Sequence, residues 1–82
     1  MPYVKQERRP SLDPLVDALG NELEFNGDFN YVLYALCKRF VVPSYNNYKN
    51  YIGELNEAAT EIRRRILSEY EDEKIFENGD VE

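Results

Sequence analysis

Two pairs of carboxylates, Glu54 with Glu57 and Glu69 with Asp72, come nearest to a reaction centre in this 82-residue chain. Acidic side chains three apart on a helix are neighbours, and two such pairs facing one another can hold magnesium against a phosphate chain and activate water to hydrolyse it. The rest of the sequence gives that chemistry little help. The chain has no histidine and a single cysteine, Cys37. The commonest general base and the commonest metal ligand are thus both missing, which argues against triads and zinc sites. Geometry weighs in the same direction. Both pairs fall on one expected helix, and the 15 residues from Glu57 to Asp72 set them roughly 22 Å apart at 1.5 Å per residue. One chain cannot close such a centre, although two antiparallel copies of the helix could. No catalytic, cofactor-binding or metal residue is therefore expected, and the acids read as solvated helix charges.

Other residues are better suited to binding. Tyr45, Tyr48 and Tyr51, with Asn46, Asn47 and Asn50 between them, have the composition of an adaptable recognition surface. The plainer alternative packs these rings on the preceding helix with their hydroxyls in solvent. Gly53 lies on the polar side of the same helix, opposite Leu55 and near Glu57 and Arg64, so core packing does not explain it. A glycine there costs up to ~1 kcal/mol against alanine and opens a gap for another backbone or a ligand. Tyr45, Tyr48, Tyr51, Gly53 and Arg64 are accordingly the candidate partner-binding residues. Arg63, Arg64 and Arg65, with Lys38 and Arg39, could instead meet single-stranded nucleic acid. Consecutive helical residues point about 100° apart, however, so the arginines are not one patch, and Glu57, Glu61 and Glu71 are near enough to neutralise them. A net charge of −6 also argues against a dedicated duplex binder.

Three expected helices position these residues. Helix one follows an extended arm of residues 1–10, with Ser11 or Asp13 as N-cap and Pro14 in its first turn. Leu12, Leu15, Val16, Leu19 and Leu23 form its buried stripe, and it ends near Asn26 and Gly27. Asp28 caps helix two, in which Phe29, Val32, Leu33, Leu36 and Phe40 share a face that Tyr31 and Tyr34 widen. Helix two is expected to be the most buried of the three. Pro43 starts the next turn, and Ser44, Asn46 and Asn47 are alternative caps for a long third helix over 46–73. Its apolar stripe runs through Tyr48, Tyr51, Ile52, Leu55, Ala59, Ile62, Ile66 and Tyr70 at three-and-four spacing, and Glu61 stands four residues before Arg65 to support the register. At roughly 40 Å this helix outruns the ~30 Å span of a small domain, so part of its apolar face needs a partner. Ile75 and Phe76 interrupt the acidic C-terminal segment of residues 74–82. They lead to the expectation that the chain folds back after about Glu73 and buries Phe76, with Asn78 and Gly79 reversing it.

The length allows one domain with a marginal core. Cys37, on an apolar helix face, reads as a small core residue, and a lone cysteine fits a reducing compartment. No apolar run approaches 18 residues and the first ten lack a hydrophobic segment, so a soluble cytoplasmic protein with no membrane partner is expected.

Several motifs point to a family. Gly27-Asp28-Phe29-Asn30-Tyr31-Val32, Ile52-Gly53-Glu54-Leu55, Glu61 with Arg63-Arg64-Arg65, and Tyr70-Glu71-Asp72-Glu73-Lys74 closing in Glu77-Asn78-Gly79-Asp80-Val81 occur in one chain that opens Met1-Pro2-Tyr3-Val4. The combination resembles a family of small uncharacterised helical proteins of bacteria, archaea and their viruses, a domain of unknown function. The resemblance covers nearly the whole chain and is densest in the C-terminal third. It implies no activity and so transfers no functional residue; the departures, Ala58-Ala59-Thr60 and Ile66-Leu67-Ser68-Glu69, keep the helical period. Separately, the two acidic pairs resemble the paired motif of all-helical nucleotide pyrophosphohydrolases, the reading weighed above.

The expected protein is all-α, with three helices, a long C-terminal helix and an acidic segment folding back. It is expected to be a non-catalytic protein-protein interaction or regulatory protein acting as a homodimer with an unidentified protein partner and no cofactor. The alternatives are a nucleic-acid-associated factor and, behind it, a magnesium-dependent nucleotide pyrophosphohydrolase-like enzyme.

Overall fold

The computed structural model describes residues 4–79 and contains helices and no strand among them. A single 3-10 turn, Gln6–Arg8, leads into α1 (Arg9–Glu22), followed by α2 (Asp28–Phe40) and α3 (Tyr45–Ile62). A π-helical turn, Arg63–Leu67, joins α3 to α4 (Ser68–Asn78). Backbone angles at Ile62, Arg63, Leu67 and Ser68 all remain right-handed helical, so α3, the π turn and α4 form one uninterrupted run. The expectation of an all-α chain with three helices, the third much the longest, therefore holds. Contacts divide the chain into two units at the Val41–Val42 junction.

In the first unit, helical structure begins earlier than the sequence suggests, at Gln6 instead of after Pro10. Pro10 occupies the first turn of α1, where its missing amide is harmless and its fixed φ is already helical. Pro14 consequently lies inside the helix. Ser11 is not the cap: its Oγ donates to the Arg8 carbonyl at 2.9 Å and accepts from the Arg8 guanidinium at 3.3 Å. The start of α1 is thus tied down by local hydrogen bonds. Residues 1–3 of the expected arm lie outside the described residues.

Helix α1 also stops earlier than expected. Leu23 is extended, and its amide closes the last turn on the Leu19 carbonyl at 2.8 Å. Gly27 has the anticipated positive φ, 117°, but it opens α2 instead of closing α1. Asp28, the first residue of α2, accepts the Glu24 amide at 2.9 Å, so its carboxylate fastens the preceding turn. The Phe25 and Phe29 rings, 5.8 Å apart and tilted by 53°, add an apolar clasp to the same turn. The stripe expected to be buried on α1 is not: Leu15, Val16 and Leu19 are exposed, while Leu12 and Leu23 are half-buried. Half-buried residues gather on α2, at Val32, Leu33, Ala35 and Cys37, yet none is fully buried. Cys37 is accordingly a half-buried thiol and not a core residue.

The second unit opens as the sequence predicts. Val41 is extended, and Val42 precedes Pro43, which disfavours helix at that position. Ser44 is the N-cap, with Oγ accepting the Asn47 amide at 3.0 Å while Asn47 Nδ2 donates to the Val42 carbonyl at 2.9 Å. These bonds satisfy a donor at the helix start and fasten the preceding loop.

The far end corrects the expected fold-back. The helix continues past Glu73 to Asn78, and Phe76 is 92% exposed. No glycine or proline lies between Gly53 and Gly79 to stop it. Lys74, 5.5 Å from the Tyr70 ring centroid and 3.2 Å from Glu77, adds local support for the helical register. Gly79, at φ 83°, ends α4 and sends its amide to the Ile75 carbonyl at 2.8 Å. Residues 80–82, including the close of the family motif, lie outside the described residues.

Candidate functional site

The candidate site is the apolar face of the helical run in the second unit, because a single helix has nowhere of its own to bury such a face. Ile52, Ile62, Ile66 and Tyr70 are exposed along it, whereas Tyr51 and Leu55 are half-buried. Their order follows the 3.6-residue period.

The π turn keeps that face continuous. Across it the Ser68 amide bonds the Arg63 carbonyl, five residues back, and Ser68 Oγ donates to the same oxygen at 2.8 Å. A turn closed over five residues holds about one more than an α turn, which sets everything beyond it back around the axis by up to ~100°. On a straight helix Leu67 would stand about 120° from Leu55, off the stripe. The extra residue brings it back toward the stripe and turns Glu69 away. Leu67 is 43% exposed against 65% for Ile66. Leu67 and Ser68 are therefore site residues that the straight-helix reading missed. The available signal was the adjacent apolar pair Ile66-Leu67, which one straight 3.6-residue stripe does not readily accommodate.

The five residues expected to bind a partner do not form one patch. Tyr48, 40% exposed, and half-buried Tyr51 belong to the apolar face, while Tyr45, 79% exposed, stands at its edge in the first turn of α3. Gly53 and Arg64 lie on the opposite side, roughly 16 Å apart along the axis. A Cβ added at Gly53 would meet no atom within 4 Å, so the gap expected there is open. Arg64 donates through Nη2 to Glu61 Oε1 at 2.6 Å, so Glu61 meets the arginine three residues on rather than the expected Arg65. Three- and four-residue spacings are both neighbours on a helix, and either supports the register by only ~0.2–0.5 kcal/mol.

The acidic pairs remain on the same helical run, Glu54 and Glu57 in α3 and Glu69 and Asp72 in α4. Glu69, Asp72, Glu73, Phe76 and Glu77 line an open surface of α4. Among the described residues, no three acidic or sulfur side chains are grouped to hold a metal ion. In the first unit, Tyr31, Tyr34, Ala35, Lys38 and Arg39 share another open surface on α2. None of the described helices is long and apolar enough to cross a membrane.

The class defined by these elements is a small all-α protein whose helical faces stand open. The family described as Domain of unknown function (DUF6899) matches residues 1–81, and the chain belongs to it. The family resemblance read from the sequence motifs holds at that level. No curated protein and no solved structure matches the chain.

Proposed function

We propose that this protein is a non-catalytic interaction or regulatory protein that acts through its helical faces as a homodimer, with a further protein as its partner. The observation that carries the reading is the apolar face of the α3 to α4 run, exposed at Ile52, Ile62, Ile66, Leu67 and Tyr70. Burying one such side chain contributes about 1.5–3 kcal/mol, and none of the described hydrophobic residues is fully buried within the chain. A second chain supplies the missing cover. The absence of histidine favours binding over catalysis. A single half-buried thiol fits a cytoplasmic, reducing setting. Light scattering coupled to size exclusion is expected to give twice the 9.7 kDa chain mass. A monomer from micromolar to near-millimolar concentration overturns the proposal.

A second reading, a single-stranded nucleic-acid factor, draws on α2, where Tyr31 and Tyr34 share a surface with Lys38 and Arg39. Rings that stack on bases beside cations that meet phosphates suit such a ligand, although the net charge of −6 weighs against it. Fluorescence anisotropy with a labelled oligonucleotide tests it, salt-sensitive binding being the supporting result. Failure to bind at low salt excludes it.

A further inference from the structure

Charge along the second unit is laid out in blocks of alternating sign. Lys49 is the only charged residue from Tyr45 to Gly53, and Glu54, Glu57 and Glu61 follow without a basic residue before Ile62. Arg63, Arg64 and Arg65 come next in the π turn. In α4, Glu69, Glu71, Asp72, Glu73 and Glu77 outweigh Lys74. The order is positive, negative, positive, negative, and its midpoint falls between Ile62 and Arg63, close to the middle of the run.

Such a pattern distinguishes the two ways of laying one copy on another. Parallel copies in register set every block against its own sign, whereas antiparallel copies about that midpoint set Lys49 against the acids of α4 and the arginines against Glu61, with like charges level only at Glu54 and Glu57. Helix dipoles favour the antiparallel arrangement as well. The apolar face extends to both sides of the midpoint, so either orientation can bury it and charge makes the choice.

We infer that the cover of this face is a second copy of the same run, antiparallel and centred near Ile62 and Arg63; this deepens the homodimer reading above and rests on it. Lys49 and the N-terminus of α3 then reach the acids of α4 on the partner. Arg63 and Arg65 of each copy lie level with Glu61 of the other, the isologous pairing of a twofold dimer. The five exposed side chains contribute on the order of 100 Å² each, about 500 Å² of the ~800 Å² per partner of a standard interface, and the flanking charged side chains add to it. In this register the two acidic pairs of opposite copies lie level with one another, the apposition weighed above for a magnesium centre.

Pulsed dipolar spectroscopy on the full chain tests the orientation. With Cys37→Ser removing the native thiol, a spin label on Lys49→Cys is expected to give an intermolecular distance of roughly 40 Å. Mixing that protein with one labelled at Glu73→Cys is expected to give a distance within about 20 Å, set mainly by the spacing between paired helices. The reverse result, short between Lys49 positions and long in the mixture, shows a parallel dimer, overturning the inference while leaving the homodimer standing. Ile62→Asp is expected to weaken the dimer at least tenfold. A dimer indifferent to that change is covered on another face and overturns the inference too. Absence of any intermolecular distance, together with a monomer mass, overturns the inference and the homodimer reading together.

Discussion

An alanine at Gly27 would have to hold a φ of 117° at the start of α2, although its Cβ would meet no atom within 4 Å. The penalty is therefore conformational, about 1–2 kcal/mol or more, and Gly27→Ala is expected to lower the urea midpoint with an unchanged slope. Gly53 responds the other way. It sits in ordinary helix with open space around it, so Gly53→Ala is expected to stabilise by up to ~1 kcal/mol, read as a raised melting temperature. A lowered one would reveal another molecule's backbone against this position, the contact its place on the polar side first suggested. The carboxylates make a third test. Calorimetric titration with magnesium is expected to show no saturable micromolar event, and one that Glu57→Gln abolished would revive the hydrolase reading. At this scale the sequence was informative wherever chemistry is local. Ser44 as a cap and the positive φ of Gly27 both follow from residue type, but which helix Gly27 served depended on the turn that Asp28 and Phe29 build around it.

Among the elements, the run from α3 to α4 carries a long exposed apolar face, and its start depends on one hydroxyl. Ser44→Ala is expected to cost about 1 kcal/mol and to speed hydrogen exchange at the Asn47 amide, which loses its acceptor. Unchanged exchange there would mean that the Asn47 bond to Val42 holds the turn alone. Truncation after Asp72 tests the other end. Phe76 is not covered within the described chain, so the loss expected is that of a paired acidic block, a weaker dimer melting several degrees lower. An unchanged melt would place α4 outside the interface. The fold-back was inferred from Ile75 and Phe76 on the assumption that apolar residues in an acidic segment must turn inward. Helical continuity prevailed because no breaker precedes Gly79.

For the whole molecule, stability that comes from a second copy must depend on concentration. The melting temperature is expected to fall across a hundredfold dilution series, since each tenfold in protein is worth about 1.4 kcal/mol to a dimer at fixed temperature. A melting temperature independent of concentration contradicts the dimer directly.

What the sequence determined by itself was helix type, number and most of the apolar faces, because a 3.6-residue period, a serine cap and a proline turn act over a few residues. It also bounded the chemistry, since a chain without histidine lacks the usual proton carrier whatever its fold. Burial was decided only in three dimensions. The stripes of α1 and α2 read as core, yet Leu15, Val16, Leu19 and Phe40 stand in solvent. An apolar period shows which face seeks cover but not what provides it. The π turn belongs with burial: one extra residue at Arg63–Leu67 changes which side chains beyond it share a face, a shift that a straight-helix projection cannot contain.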